Sequence, residues 1–319
     1  MKRSLIALAV GAALVFGVAA PAVAHPAVIT GHAASLHPEG VAYDPSRDGF
    51  LVTSITHGTV STVRKDGRTR TLVDDPALIS TIGVHVDASR DRVLVASGDL
   101  GLADRSTPAT TGKTAGLGIY SLRTGARLAF VDLAAVAGDG GDHLANDIAV
   151  DRDGTAYVTD SRAGIVYRVE PSGRAGVLAR DARLTSPDGN GANGIVWREG
   201  VLIVGNYSAG TLWRVPVARP GDVRQVRVES MPGVDGLTLA PNGSIIAVTN
   251  TLGVAGTAKV RELRPSRDWA SASVRESRAW PDAAPTTATV RRGTVYVLDG
   301  EMDALLSGAL TDVFTLRRF

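Results

Sequence analysis

Short apolar runs alternate with clusters of Gly, Asp, Asn and Pro over most of this 319-residue chain. The 3.6-residue spacing of an amphipathic helix is not sustained over any long stretch. Glycine is abundant, with 36 residues, whereas Phe, Trp and Tyr together make up only 5% of the chain. This pattern predicts an all-β fold built from many short strands.

One unit recurs along the chain at a spacing of about 45 residues, which is typical of propeller repeats. It consists of a strand, a tight turn, and a second strand that ends on a polar residue. The clearest turns are Asp153-Gly154 and Asn242-Gly243, which are favoured hairpin dipeptides. The six copies have first strands that start at Glu39, Ile82, Asn146, Asn193, Asp235 and Thr286 or Thr287.

Six such units predict a single six-bladed β-propeller with four-stranded antiparallel blades, spanning residues 25–319. A β-sandwich, or a pair of them, is the alternative, but it would not need the same strand-turn-strand pattern six times. An open ring would leave exposed strand edges. Residues 27–30 are therefore expected to pair with the last strands, near residues 313–316.

The N-terminal residues 1–24 have the pattern of a secretory signal peptide. Lys2 and Arg3 precede an apolar run, and Ala22-Val23-Ala24 resembles a cleavage site. A membrane anchor is the alternative, although the apolar run is short for a span of about 20 residues. We therefore expect a secreted protein whose mature chain begins at His25.

Charge and composition exclude several classes of partner. Without Lys2 and Arg3, 32 of the 34 Lys and Arg residues remain, which equals the number of Asp and Glu residues, 32. This balance gives no electrostatic reason to expect nucleic acid or an anionic membrane as a partner. With no cysteine and six histidines, the chain also argues against a structural zinc site. We expect a monomer with a small molecule as its partner.

The starts of the first strands are expected to meet at one end of the central channel, because first strands line the axis of a propeller. Four of the six starts carry side-chain oxygens, namely Glu39, Asn146, Asn193 and Asp235. Oxygen ligands of mixed charge favour calcium, with magnesium or manganese as alternatives. A simpler explanation is that Asn and Asp precede Gly because tight turns use them.

The pairs Glu39-Gly40, Asn146-Asp147, Asn193-Gly194 and Asp235-Gly236, each at the start of a repeat, resemble the SMP-30/gluconolactonase group of propellers. The chain is also similar to calcium-dependent phosphotriesterases, paraoxonase-type lactonases and exported strictosidine-synthase-like proteins. The resemblance implies that these four oxygen-bearing residues bind a metal ion. It also implies that Asp235 is a candidate nucleophile.

The chain departs from these relatives at two positions. Leu144 stands where gluconolactonases have an arginine that grips the sugar lactone, and Ile82 stands where paraoxonase-type enzymes have a catalytic histidine. His143 and His85 lie nearby and are candidate proton carriers in their place. The strictosidine synthases themselves lack the four metal-binding positions, so the chain does not follow them.

Two functions from different classes remain open. The first is a calcium-dependent hydrolase of a lactone, ester or phosphotriester. The second is a non-catalytic exported propeller that binds a small ligand or a protein, with a structural metal ion.

The loop from Asp99 to Leu117 is expected on the metal-binding face, as a lid or as a disordered insertion. A wet channel mouth is expected from the polar ends of the second strands, Ser54, Asp160, Asn206, Asn250 and Asp299.

Overall fold

The computed structural model describes residues 26–319. The predicted signal peptide at residues 1–24 lies outside the described residues and stays a prediction. Within residues 26–319, no helix has the length and apolar character needed to cross a membrane.

Strands account for almost all regular structure in the described part of the chain. In chain order they are β1 (Val28–His32), β2 (Val41–Asp44), β3 (Gly49–Val52), β4 (Thr59–Val63), β5 (Thr69–Asp74), β6 (Ser80–Asp87), β7 (Arg92–Gly98), β8 (Lys113–Ser121), β9 (Arg127–Asp132), β10 (His143–Val150), β11 (Ala156–Asp160), β12 (Ile165–Val169), β13 (Ala175–Arg180), β14 (Ala192–Arg198), β15 (Val201–Asn206), β16 (Thr211–Pro216), β17 (Arg224–Val226), β18 (Val234–Leu239), β19 (Ile245–Thr249), β20 (Lys259–Pro265), β21 (Ala272–Ala279), β22 (Pro285–Arg291), β23 (Thr294–Asp299) and β24 (Val313–Arg318). Helical structure is confined to α1 (Leu133–Ala137), α2 (Met302–Leu306) and the 3₁₀ turns Ala88–Arg90 and Ala182–Leu184.

The strands form antiparallel groups of four. Strands β2–β5, β14–β17 and β18–β21 each make a separate four-stranded sheet in chain order, and a fourth sheet has the order β1-β24-β23-β22. In this last sheet the first strand of the chain pairs with the last, with Ile29 opposite Leu316 and Thr30 opposite Thr315. The predicted pairing of the two ends of the chain is therefore confirmed.

The remaining eight strands form one sheet, which differs from the predicted six separate four-stranded blades. Strands β6–β9 and β10–β13 are each antiparallel, but a short parallel pairing joins β10 to β8. His143 lies opposite Lys113 and Leu144 opposite Thr114, because the chain entering β10 runs beside the start of β8. The structure therefore confirms the predicted all-β arrangement of antiparallel groups of four strands, but it does not show six separate sheets.

The apolar core is divided into clusters that lie between consecutive groups of strands. Tyr157 of β11, for example, packs in one cluster with Leu202 of β15. Another cluster joins the chain's ends to its first group, with Val52 of β3 and Leu298 of β23 both buried in it. Such clusters connect each group to the next and the last group to the first, so the arrangement is propeller-like.

Candidate functional site

The first strands of the groups, β2, β6, β10, β14, β18 and β22, contact one another in that order, and β22 contacts β2. Five of them carry an irregularity in register against the neighbouring strand. The irregular segments lie between Thr81 and Val84, Ala145 and Ile148, Ala192 and Ile195, Val234 and Leu237, and Pro285 and Ala288. Bulges of this kind re-aim side chains out of the regular alternation of a strand. The candidate residues Asn146, Asn193 and Asp235 all lie in these segments.

Close packing between first strands explains the glycine that follows several of the candidate residues. A Cβ atom on Gly194 would lie 2.3 Å from the carbonyl oxygen of Asp235, and a Cβ atom on Gly236 would lie 2.1 Å from Oγ1 of Thr287. Real Cβ contacts are not this short, so only glycine permits the approach. The Asn-Gly and Asp-Gly pairs therefore bring one irregular segment against the next.

The four residues predicted to bind a metal ion all line one cavity of about 220 Å³. We call it the mouth cavity; its other lining residues are Ile82, Leu100, Leu144, Ser161, Asn190, Tyr207, Leu252, Gly253, Thr286, Met302 and Leu306. Asn146, Asn193 and Asp235 are each at least nine-tenths buried. The structure thus brings together, at one place, side chains that are up to about 200 residues apart in the chain.

A narrow constriction and a second cavity continue from the mouth cavity along the first strands. Glu39, Asn146 and Asn193 also line the constriction, whose volume is about 20 Å³. Beyond it, a cavity of about 480 Å³ is lined by later residues of the same strands, including Asp147. We call this second cavity the channel cavity. The mouth cavity therefore lies at one end of a central channel.

The two candidate carboxylates are held in an environment that disfavours their negative charge. Burial, together with the nearby charges of Asp235 and Asp147, raises the pKa of the Glu39 carboxyl well above its usual range. Burial also raises the pKa of Asp235, although hydrogen bonds from Asn250 and Asn193 oppose this shift. A positive charge placed among these groups would relieve the repulsion.

Asn250 is a residue of this site that the sequence did not identify as a partner of Asp235. Its Nδ2 donates hydrogen bonds to Oδ2 of Asp235 at 2.6 Å and to the carbonyl oxygen of Pro285 at 2.9 Å. Its Oδ1 accepts from the hydroxyl of Tyr207 at 2.6 Å and from the amide of Leu252 at 3.2 Å. Asn250 is therefore fixed on both sides and fixes Asp235 in turn.

Asp147 is a second residue that sequence reasoning passed over. It follows Asn146 in the irregular segment of β10 and lines both the constriction and the channel cavity. The amides of Ile148 and Ile195 donate to its two carboxylate oxygens, at 2.8 and 3.1 Å. Burial nevertheless raises the pKa of Asp147 to about 7. The Asn146-Asp147 pair in the sequence was the available signal, since this repeat has Asp where four others have Gly.

The structure places neither candidate histidine in the mouth cavity. His143 is buried, with Nδ1 2.7 Å from Oδ2 of Asp160 and Nε2 2.9 Å from Oδ1 of Asp139. The hydrogen bond with Asp160 outweighs burial and raises the pKa of His143, and Asp139 adds to this effect. His85 lines the channel cavity instead, where burial lowers its pKa to about 4.

The polar ends of the second strands do not form the wet mouth expected from the sequence. All of them are buried, with 3% exposure or less. Their side chains bond to the backbone: Oδ1 of Asp160 accepts from the amide of Leu144 at 3.0 Å, and Oδ2 of Asp299 accepts from the amide of Ala284 at 3.0 Å. These contacts hold the loops between strands, and Asn250 in addition fixes Asp235 of the site.

The loop between β7 and β8 is shorter than predicted, because β8 already begins at Lys113. Asp99, the first residue of the loop, is completely buried. The Asp99 carboxylate accepts from the amide of Gly101 at 2.7 Å and from the hydroxyls of Ser106 and Thr110 at 2.5 and 2.6 Å. The hydrogen bonds give the loop a defined conformation, and its Leu100 side chain lines the mouth cavity.

The donor set of the mouth cavity fits a hard divalent cation. It combines two carboxylates with two neutral amides, and oxygen ligands of this kind suit calcium. Lys, Arg and His are all missing from the described residues that line the cavity, so nothing there neutralises the carboxylates. Clusters of three or more His, Cys, Asp or Glu side chains able to hold a metal are not found in residues 26–319. Amide oxygens of Asn146 and Asn193 would therefore have to complete the set.

Comparisons with known proteins agree with this architecture. A family model described as the SMP-30/gluconolactonase/LRE-like region matches residues 37–270. Among solved structures, the chain is similar to a gluconolactonase from Xanthomonas campestris, with 16% identity, a TM-score of 0.60, and coverage of 92% of this chain and 89% of that chain.

Two further solved structures have comparable similarity. One is a luciferin-regenerating enzyme, with 12% identity, a TM-score of 0.61, and coverage of 91% of this chain and 95% of that chain. The other is a PQQ-bound aldose sugar dehydrogenase from Streptomyces coelicolor, with 14% identity, a TM-score of 0.58, and coverage of 93% and 100%. No curated protein matches the sequence. At such identities the structural similarity shows the fold alone, since the named activities differ.

Proposed function

Because the chain belongs to the SMP-30/gluconolactonase/LRE-like family, we propose that it is a calcium-dependent hydrolase of a lactone, ester or phosphotriester. The observation that supports this most strongly is the convergence of Glu39, Asn146, Asn193 and Asp235 on one cavity. The gluconolactonase among the similar solved structures is a precedent for a hydrolase with this fold.

We also propose that the ring has six blades. The eight-stranded sheet divides into two antiparallel groups of four, and only two residue pairs join them. Apolar clusters lie between the two halves of this sheet as they do between the separate sheets. The sixfold repeat in the sequence supports the same division.

In the proposed site, oxygens of Glu39, Asn146, Asn193 and Asp235 would hold the calcium ion. A divalent cation bound to such a set supplies polarisation of a carbonyl or phosphoryl oxygen. The residues of this chain contribute position and charge. Glu39 is anchored through its backbone, whose carbonyl oxygen accepts from Oγ1 of Thr286 at 2.6 Å.

Asp235 is the proposed reacting carboxylate, either as the nucleophile or as the group that orients water. Asn250 fixes its Oδ2, and this contact holds the carboxylate in one orientation toward the cavity. Since His143 and His85 lie outside the mouth cavity, we assign them no contact with the substrate. A proton released in the reaction would pass to a carboxylate of the cavity or to water.

A panel of lactones, aryl esters and phosphotriesters, assayed with and without a calcium chelator, tests the proposal. Hydrolysis of at least one class that is lost with chelator and restored by added calcium would support it. Calcium binding without hydrolysis of any class would instead favour the alternative, a non-catalytic exported propeller that binds a small ligand or a protein.

A further inference from the structure

The wall of the mouth cavity is apolar above its polar floor. The apolar side chains, which we call the apolar collar, are Ile82, Leu100, Leu144, Leu252, Met302 and Leu306. They come from several groups of strands: Leu100 follows β7, Leu252 follows β19, and Met302 and Leu306 lie on α2. Part of the collar is exposed; Leu306, for example, has 50% of its surface accessible. Apolar surface therefore faces the space through which a substrate must enter.

Apart from the exposed Asn190, whose hydrogen bond to Asp188 is 3.4 Å long, the polar side chains of the wall already have close partners within the protein. The hydroxyl of Tyr207 donates to Oδ1 of Asn250 at 2.6 Å, and the hydroxyl of Ser161 donates to the carbonyl oxygen of Ala192 at 2.7 Å. A sugar-like substrate would have to place several hydroxyl groups against the collar. Burying hydroxyls without hydrogen bonds is unfavourable, so the wall selects against such substrates.

The charge of the cavity also limits the substrate. Carboxylates of Glu39 and Asp235 lie at its floor, and the described residues that line it include no Lys, Arg or His. An anionic substituent on the substrate would lose hydration in the collar and gain no ion pair. The substrate should therefore be neutral away from its reacting group.

We propose that the mouth cavity selects neutral substrates that carry a short aliphatic substituent beside the reacting ester group. The substituent would lie against the apolar collar while the ester group reaches the polar floor. As far as it concerns substrates that are hydrolysed, this inference rests on the proposed hydrolase function. The selection itself is a property of binding and can be measured separately.

The size of the cavity sets the expected dependence on chain length. Each methylene group moved from water into an apolar site should increase kcat/KM by about fourfold. The volume of about 220 Å³ is smaller than that of most drug-sized ligand sites, so the gain should stop after a short chain. Equal kcat/KM values at all chain lengths would contradict a contact between the substituent and this wall.

A homologous series of γ-lactones, from γ-butyrolactone to its γ-hexyl derivative, tests the proposal in the full-length protein with saturating calcium, and glucono-1,5-lactone serves as the polyhydroxylated competitor. We expect kcat/KM to rise by about fourfold per methylene and then to level off. Leu306→Ser should flatten this dependence. Leu128→Ser should not, because Leu128 lies on β9, outside the cavity lining, and has a similar exposure of 57%.

Calorimetric binding of the matching γ-lactams, which resist hydrolysis, separates the two proposals. If no lactone, aryl ester or phosphotriester of the panel is cleaved but lactam affinity rises with chain length in the wild type and not in Leu306→Ser, the hydrolase proposal fails and the selection stands. Lactam affinity that is independent of chain length, or a preference for glucono-1,5-lactone over the alkyl lactones, would overturn the inference.

Discussion

Nδ2 of Asn250 lies 2.6 Å from Oδ2 of Asp235 and joins the residue after β19 to the irregular segment of β18. Both residues are buried. The same asparagine accepts from Tyr207 and Leu252 of the cavity wall. Through this contact the position of the candidate reacting carboxylate depends on the residues that shape the mouth of the channel.

Replacement of Asn250 by alanine should lower the free energy of unfolding by about 2 kcal/mol, because it removes a hydrogen bond to a buried carboxylate. It should also weaken calcium binding, since Asp235 loses its fixed orientation. Denaturant unfolding and calcium calorimetry measure the two effects. Asn190→Ala is the matched control, because Asn190 lines the same cavity but is exposed and bonds to Asp188 instead. Equal effects of the two substitutions would show that the contact between Asn250 and Asp235 does not stabilise the protein or its calcium site.

The meeting of Glu39, Asn146, Asn193 and Asp235 was predictable because they occupy equivalent positions of a repeat. A repeat fixes relative position even between residues far apart in the chain. Alternation along the strands, in contrast, did not reveal that Asn146 and Asp147 both line the channel. That outcome depends on the register shift between Ala145 and Ile148, which has no simple sequence signature.

The non-repeating parts of the site could not be predicted. The apolar collar residues Leu100, Leu252 and Leu306 lie in loops or on α2, whose conformations depend on local hydrogen bonds. His143 stood close to Asn146 in sequence and was therefore a candidate proton carrier. Its contacts with Asp160 and Asp139 occupy both ring nitrogens, and sequence spacing gave no sign of this pairing.

Replacement of Gly194 by alanine should destabilise the protein by about 2 kcal/mol. The added methyl group would lie 2.3 Å from the carbonyl oxygen of Asp235 and 2.6 Å from the amide nitrogen of Leu237, both of which are backbone atoms. The neighbouring segment must therefore move, and calcium affinity should fall with it. Gly176→Ala is the control, since a Cβ there meets no atom within 4 Å. A Gly194→Ala variant as stable as Gly176→Ala would contradict the close packing of first strands.

The pairing of His143 with two carboxylates predicts a specific dependence of stability on pH. The pKa of His143 is raised in the folded protein by its hydrogen bond with Asp160. Its contribution is therefore fully present below its unfolded pKa of about 6.5, and it is lost as pH rises through the higher folded value.

The free energies of unfolding of the wild type and His143→Gln, measured from pH 5 to pH 9 by denaturant titration, should differ most at low pH. The difference should shrink toward high pH. His57→Gln serves as a control, because it removes a half-buried imidazole whose carboxylate partner, Asp104, is exposed. A wild-type advantage that grows with pH would show that the sign is wrong.

Calcium should stabilise the folded protein if it binds only the assembled site. Free calcium at 100 times its dissociation constant should add about 2.7 kcal/mol to the free energy of unfolding. Asp235→Ala should abolish this gain, whereas Asp303→Ala should keep it, because Asp303 is an exposed carboxylate outside the lining of the mouth cavity. Thermal melts with calcium and with chelator provide the comparison. Identical wild-type melts under both conditions would leave the metal site without support.

The most direct measurement is the turnover of Asp235→Asn at calcium concentrations that saturate its site, on a substrate found in the panel. The asparagine keeps an oxygen ligand but lacks the reacting carboxylate, so kcat should stay at least about 100-fold below wild type. Asn146→Ala is the comparison variant, since it removes only a ligand, and excess calcium should restore most of its activity. Full activity of calcium-saturated Asp235→Asn would contradict the assignment of Asp235 as the reacting group of this site.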